Sequence, residues 1–186
     1  MGTVTSGNFT FTTTPIEGVI LVEARRFGDP RGYFRELYKG PDFHAGGIAD
    51  DFVQENQSFS RKGVLRGLHF QIEHPQSKLV RVLRGEIFDV AVDIRPGSPT
   101  FGKWFGATLS EDSGLQLYLP HGCAHGLLVL SDTATISYMA DDVYHPDDEG
   151  GIRWDDPTVA VEWPLPRDQV IVSEKDAAQP YFSDQF

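Results

Sequence analysis

Residues 85–95 place Phe88, Val90, Val92 and Ile94 on one side of a strict alternation and Asp89, Ala91, Asp93 and Arg95 on the other. A period of two is the mark of a β-strand, and the dense apolar side requires a covering layer. Pro96-Gly97-Ser98-Pro99 then stops the strand with turn chemistry. The same grammar recurs along the chain. Strand patterns fall at 18–23, 104–109, 116–119, 126–130, 134–139 and 159–163, with turns at 28–32, 111–114, 120–122, 131–132 and 146–151. No segment sustains a helical period. A chain of many short strands and regular turns buries its apolar faces as a double-sheet jelly roll or a similar closed barrel, an all-β fold.

The minor elements read as follows. Residues 1–14 alternate Phe9 and Phe11 with polar neighbours, as an edge or exchanged strand does. A short helix fits near 41–51, and one helical turn over 173–178 has Ser173 as its cap. Gln54, Asn56, Ser58 and Ser60 share one strand face, which suits either solvent or the polar lining of a barrel.

With 186 residues, 40% of them hydrophobic, the chain builds one domain spanning 1–186. A formal charge of −11 excludes nucleic acid and anionic membranes as partners, so any anionic ligand must be held by a local basic cluster. The single Cys123 rules out an internal disulfide and fits a reducing compartment. With no signal peptide and no long apolar run, the expected location is the cytoplasm.

Chemistry concentrates in Gly63-Val64-Leu65-Arg66-Gly67-Leu68-His69-Phe70-Gln71, followed by Lys78, and in the turn Pro120-His121-Gly122-Cys123-Ala124-His125. The glycine–histidine spacing resembles the paired histidine motifs of cupin barrels. A metal-binding cupin needs further ligands, and Gln71 occupies one of those positions, so no metal is expected here. His69 and Gln71 share a face; Arg66 points away unless Gly67 marks a bulge. Taken alone, Lys78 reads equally well as a solvated strand start, Tyr138, Tyr144 and Trp154 as core aromatics, and Asp176 as a helix-start charge. His44, His74, His121 and His145 read as surface or turn residues.

Together these segments resemble the dTDP-4-dehydrorhamnose 3,5-epimerase family of cupins. The likeness runs through Asp29-Pro30-Arg31-Gly32-Tyr33-Phe34-Arg35-Glu36, Gln54 to Ser60, Gly63 to Gln71 and Gln76-Ser77-Lys78-Leu79-Val80. It continues through residues 89–95, 98–104, 120–126, Tyr138 with Tyr144, 146–150 and Ser173-Glu174-Lys175-Asp176. It implies a cupin double-stranded β-helix with a few short helices and N-terminal strands exchanged in a homodimer. The substrate it implies is a dTDP-4-keto-6-deoxy sugar, with no cofactor. It assigns His69 as catalytic base, Asp176 as its carboxylate, Tyr138 as the acid on the opposite sugar face and Lys78 as the cation near the keto oxygen. Arg31, Glu36, Gln54, Asn56, Arg66, Tyr144, Glu149 and Lys175 match nucleotide-holding positions, and His125 a second pocket histidine. Leu127 departs from the phenylalanine common at that position.

Elementary chemistry accords with these roles. A proton beside a ketone becomes removable once the enolate oxygen is stabilised, which an ammonium can do without a metal. A neutral imidazole, steadied by a carboxylate, takes the proton, and inversion needs an acid on the other face. Three rivals stay open: inversion at C3 or C5 alone in another deoxysugar pathway, a metal-dependent cupin using His69 and His125, and a non-catalytic sugar-nucleotide binder.

Overall fold

The strand at 85–95 is buried on both faces, and that fixes the layering. The structure, a computed structural model, describes residues 1–186. In chain order β1 (Thr3–Ser6), β2 (Phe9–Thr13) and β3 (Ile20–Ala24) form an antiparallel run, and β4 (Arg26–Asp29) and β5 (Gly32–Arg35) form a small separate hairpin. After α1 (Gly40–Ala45) come β6 (Gln54–Arg61), β7 (Leu65–Gln71), β8 (Lys78–Arg84), β9 (Glu86–Asp93) and β10 (Trp104–Ser110). Then follow β11 (Leu115–Leu119), β12 (Cys123–Val129), β13 (Thr133–Ala140), β14 (Glu149–Gly151) and α2 (Glu174–Ala177). One sheet has the order β1-β2-β3-β11-β8-β13-β6 and the other β10-β9-β12-β7-β14, with every pairing antiparallel. From β6 to β9 and from β11 to β14 successive strands alternate between the sheets, which is the cupin jelly roll.

The main core lies between the sheets, where Ile87 and Ala91 of β9 meet Val80, Leu117, Leu119, Leu127 and Ile136. The other face of β9 is covered from outside: Val90, Val92 and Ile94 pack with Leu68, Ile152, Val159 and Phe182. The polar-looking side of 85–95 is therefore the barrel interior rather than solvent. A third cluster sits under the N-terminal hairpin. Phe43 of α1 meets Phe9 and Phe11 edge-on, with ring centroids 5.0 and 5.3 Å apart. Gly46, just after that helix, leaves room for this packing, because a Cβ there would stand 2.5 Å from the Phe11 ring. No helix is long and apolar enough to cross a membrane.

Two sequence expectations need correction. Residues 159–163 form no strand: the Asp156 carboxylate accepts from the Thr158, Val159 and Phe182 amides, and Ala160 takes a φ of 51°. The alternation is real, but it lays Val159, Val161 and Trp163 onto the outer sheet face instead of into a ladder. Residues 146–151 are not only a turn. A single 3₁₀ turn, Pro146–Asp148, leads into β14, which pairs with β7 and brings Glu149 opposite Gln71.

The turn after β9 hangs on one carboxylate. Asp93, fully buried, accepts from the Arg95 amide at 3.0 Å, from the Arg95 guanidinium twice at 2.8 Å, and from Ser98 and Thr100 hydroxyls at 2.5 and 2.6 Å. Burial pushes this carboxyl up, but those donors outweigh it and hold it far below the usual carboxylate range. A folded-state pKa below the unfolded value of about 3.9 stabilises the fold above about pH 4, and that contribution is lost as pH falls from there. Asp93→Asn is therefore expected to cost about 2–4 kcal/mol at pH 7 in urea unfolding and to flatten the acid-side loss of stability. An unchanged acid limb would show that other carboxylates carry it.

Candidate active site

The barrel interior is filled at one end and open at the other, where a cavity of about 610 Å³ separates the sheets. His69, on β7, projects into it. Its Nε2 lies 2.7 Å from Oδ1 of Asp176, which α2 delivers from 107 residues further along the chain. An ionised carboxylate only accepts, so Nε2 donates and Nδ1 keeps its lone pair. Ser173 caps α2 by accepting from the Asp176 amide at 3.0 Å, which sets the angle of that carboxylate. Burial pushes the Asp176 carboxyl up, yet its bonds from His69, the Gly67 amide and Ser173 prevail and hold it below its ordinary value. It therefore stays ionised behind the ring.

Arg66 does reach the pocket, and Gly67 is the reason. Gly67 takes a φ of 131°, and a Cβ there would stand 2.5 Å from the Gly126 Cα, so the two strands approach as only glycines allow. The β7–β12 register shifts between His125 and Leu127, opposite this point. The shift brings Arg66 to the cavity rim, where its Nε donates to Ser60 at 3.1 Å. His125 belongs to β12 itself rather than to the preceding turn, directly opposite His69 in the ladder. Its Nε2 lies 2.8 Å from Oδ1 of Asp89, a fully buried side chain that motif reading missed. The available signal was an aspartate in mid-strand on the same period-two face as Ala91, which pairs with His125.

The facing sheet supplies the other groups. Tyr138 of β13 and Lys78 at the start of β8 line the same cavity, with the Lys78 ammonium 5.9 Å from the Tyr138 ring centroid. Tyr138 is half-buried rather than packed away, and burial pushes its hydroxyl up, so it keeps its proton. Burial drives the Lys78 ammonium down from its ordinary value, against the opposing pull of Glu149 and Asp89. Glu149, brought in by β14, accepts from Tyr144 at 2.7 Å and from Lys175 at 2.6 Å, closing one wall. Gln54 and Asn56 line an adjoining recess with His69, Gln71, Lys78 and Tyr138; Gln54 donates to Asn56 and accepts from the Tyr144 amide. Val64, Leu127, Ile136, Ile171 and Val172 give the pocket an apolar wall that motif reading also left out.

Two expected site residues lie elsewhere. Arg31 sits at the tip of the β4–β5 hairpin, 90% exposed and paired with Asp29 at 2.6 Å. Glu36, just beyond that hairpin, accepts from Asn8 at 3.0 Å. Neither lines the cavity of its own chain. Trp154 is a core residue, whereas Tyr144 is not: it is 48% exposed.

The model of the dTDP-4-dehydrorhamnose 3,5-epimerase family matches residues 13–184. The epimerase of that name from Methanothermobacter thermautotrophicus is 49% identical over 169 residues, covering 90% of this chain and 91% of the relative. The corresponding crystal structure from Elizabethkingia anophelis superposes with a TM-score of 0.92 at 43% identity, covering 96% of this chain and 99% of that one. The dTDP-6-deoxy-D-glucose-3,5-epimerase of Legionella pneumophila, solved with dTDP-4-keto-L-rhamnose, also gives 0.92, at 46% identity over 96% and 95% of the two chains. A pocket with a histidine–aspartate pair on one wall and a lysine and tyrosine on the other, in a barrel matched along almost its full length, makes this chain a member of the dTDP-4-dehydrorhamnose 3,5-epimerase family.

Proposed function

We propose that the chain carries out the isomerisation its family is named for, inverting C3 and C5 of dTDP-4-dehydro-6-deoxy-D-glucose to give dTDP-4-dehydro-L-rhamnose. The observation that carries this reading is the opposition of His69 and Tyr138 across one cavity, from different sheets. A sugar between them meets a base on one face and an acid on the other. Nδ1 of His69 takes the proton from the carbon beside the ketone, and the C–H electrons move onto the C4 oxygen. The Lys78 ammonium stabilises that enolate oxygen, a role that needs neither metal nor organic cofactor. Tyr138 then returns a proton to the carbon from the opposite face as the enolate electrons move back from the C4 oxygen; once His69 has released its proton to water and Tyr138 has regained one, the sequence repeats at the second carbon. Arg66 and Lys175 at the rim offer the diphosphate a local cationic cradle within a chain of net charge −11.

Arg31 and Glu36 enter the same reading through a homodimer. The β4–β5 hairpin makes no sheet with the rest of its chain and exposes Tyr33 and Phe34 at 53% and 68%. β1 and β6 leave open edges on the larger sheet, available to a second copy. In our reading, exchange of N-terminal segments carries Arg31 and Glu36 into the partner's pocket. The reducing compartment suggested by Cys123, a free buried thiol, makes the cytoplasm the proposed location.

The primary test is incubation with the 4-keto sugar nucleotide in D2O with a chelator present, followed by NMR. Loss of both C3 and C5 proton signals is expected; loss at one carbon would make the chain a single-site epimerase, and binding without exchange would reject the enzymatic reading. His69→Ala should lower kcat about 10²–10⁴-fold while leaving dTDP affinity nearly unchanged. Asp176→Asn should be milder, and the reverse order would undo the pairing of roles. Because burial lowers Lys78, the alkaline limb of kcat/KM should fall at a pH below the ordinary lysine value. Mixing inactive Arg31→Ala and His69→Ala chains should restore up to about one quarter of wild-type activity if Arg31 serves the partner, and none if it serves its own pocket.

A further inference from the structure

Of the six histidines, four rings have a carboxylate partner: His44 with Asp51 at 3.8 Å, His69 with Asp176 at 2.7 Å, His121 with Asp141 at 2.6 Å and His125 with Asp89 at 2.8 Å. The rings of the remaining two, His74 and His145, hydrogen-bond to no side chain and instead stack on each other, with centroids 4.2 Å apart and planes 20° from parallel. Asp142 stands beside them, and one ligand atom from each of the three lies within 4.8 Å of the others. One Asp142 oxygen accepts from the Val143 amide at 2.8 Å, which leaves the second oxygen free.

We propose that His74, Asp142 and His145 form a binding site for a divalent transition metal of the zinc class. Two imidazoles and a carboxylate suit zinc, nickel or copper, whereas calcium and magnesium favour all-oxygen shells. A ligating ring must be free to turn its lone pair to the ion, and no side-chain hydrogen bond holds either of these two rings in another orientation. The backbone is already set: the His74 amide donates to Asp148 at 2.8 Å and the His145 amide to Gln71 at 3.2 Å. Ligation therefore asks chiefly for ring rotation about χ2, and the exposed His74 has room to make it. The net charge of −11 and the adjoining Asp141 and Asp147 favour a cation there.

The site lies outside the catalytic pocket but joins the two loops that frame its mouth. His74 follows Gln71 on one loop; Asp142 and His145 flank Tyr144 on the other, whose hydroxyl meets Glu149. Gln76 already crosses between them, donating to the Asp142 carbonyl at 2.7 Å. A bound metal would pin the Tyr144 loop against the 72–77 loop without touching the reacting atoms.

The test is zinc titration of tag-free, chelator-stripped protein by calorimetry, with cobalt absorption as a second readout. One zinc per chain is expected, with affinity weakened at least about tenfold in both His74→Ala and His145→Ala and less in Asp142→Asn. The readout is independent of turnover, so it stands or falls apart from the epimerase reading. All three variants binding as wild type, with unchanged melting temperatures, would place the metal elsewhere and overturn the proposal. So would the absence of any zinc binding.

Discussion

The contact between His69 and Asp176 governs this molecule more than any other. It joins a central strand to a short helix 107 residues later and does so at the cavity between the sheets. Without the carboxylate the imidazole has no fixed orientation, and without the imidazole a largely buried charge loses its main partner. The surrounding features serve this pair. Ser173 caps the helix that presents Asp176, Gly67 donates its amide to the same carboxylate, and the close approach of Gly67 to Gly126 keeps the two histidine strands adjacent. These contacts converge on one wall of one cavity.

A jelly roll suits inversion chemistry because its two sheets present different side chains to opposite faces of whatever lies between them. The side that carries the histidines is ordered by carboxylates, Asp176 behind His69 and Asp89 behind His125. The facing side carries the Lys78 amine and the Tyr138 hydroxyl, both altered by burial. Desolvation lowers the lysine and raises the phenol, so one low-dielectric pocket moves both groups toward their uncharged forms. The acidic exterior leaves substrate anions to a few cations at the rim.

Much of this was legible in the residues. Period-two patterns gave the strands at 18–23, 104–109, 116–119 and 134–139, and turn chemistry marked most boundaries, because both are local properties. The failures had physical causes. At 159–163 an apolar alternation covered a sheet rather than joining one, a distinction that depends on where Asp156 spends its oxygens. β14 was missed because three residues, two of them glycine, carry no pattern, yet they place Glu149 beside His69's strand. Arg66 turned on a bulge at Gly67 whose direction no pattern gives. Asp89 is chemically unremarkable until the register with β12 is known. Arg31 and Glu36 match site positions in sequence yet do not line the candidate pocket of their own chain, because a linear motif does not say what its residues will face once folded.

The long separation between His69 and Asp176 also orders events in time. On a growing polypeptide β6 through β13 emerge before the segment that holds Asp176, and the residues that cover the outer face of β9, Ile152, Val159 and Phe182, emerge late as well. Closing so long a loop costs chain entropy that only the finished sheets can offset, which makes the dyad a late arrival in folding as well. One C-terminal segment thus both seals the outer sheet face and orients the His69 ring, so the pocket is set only when the covering layer is in place.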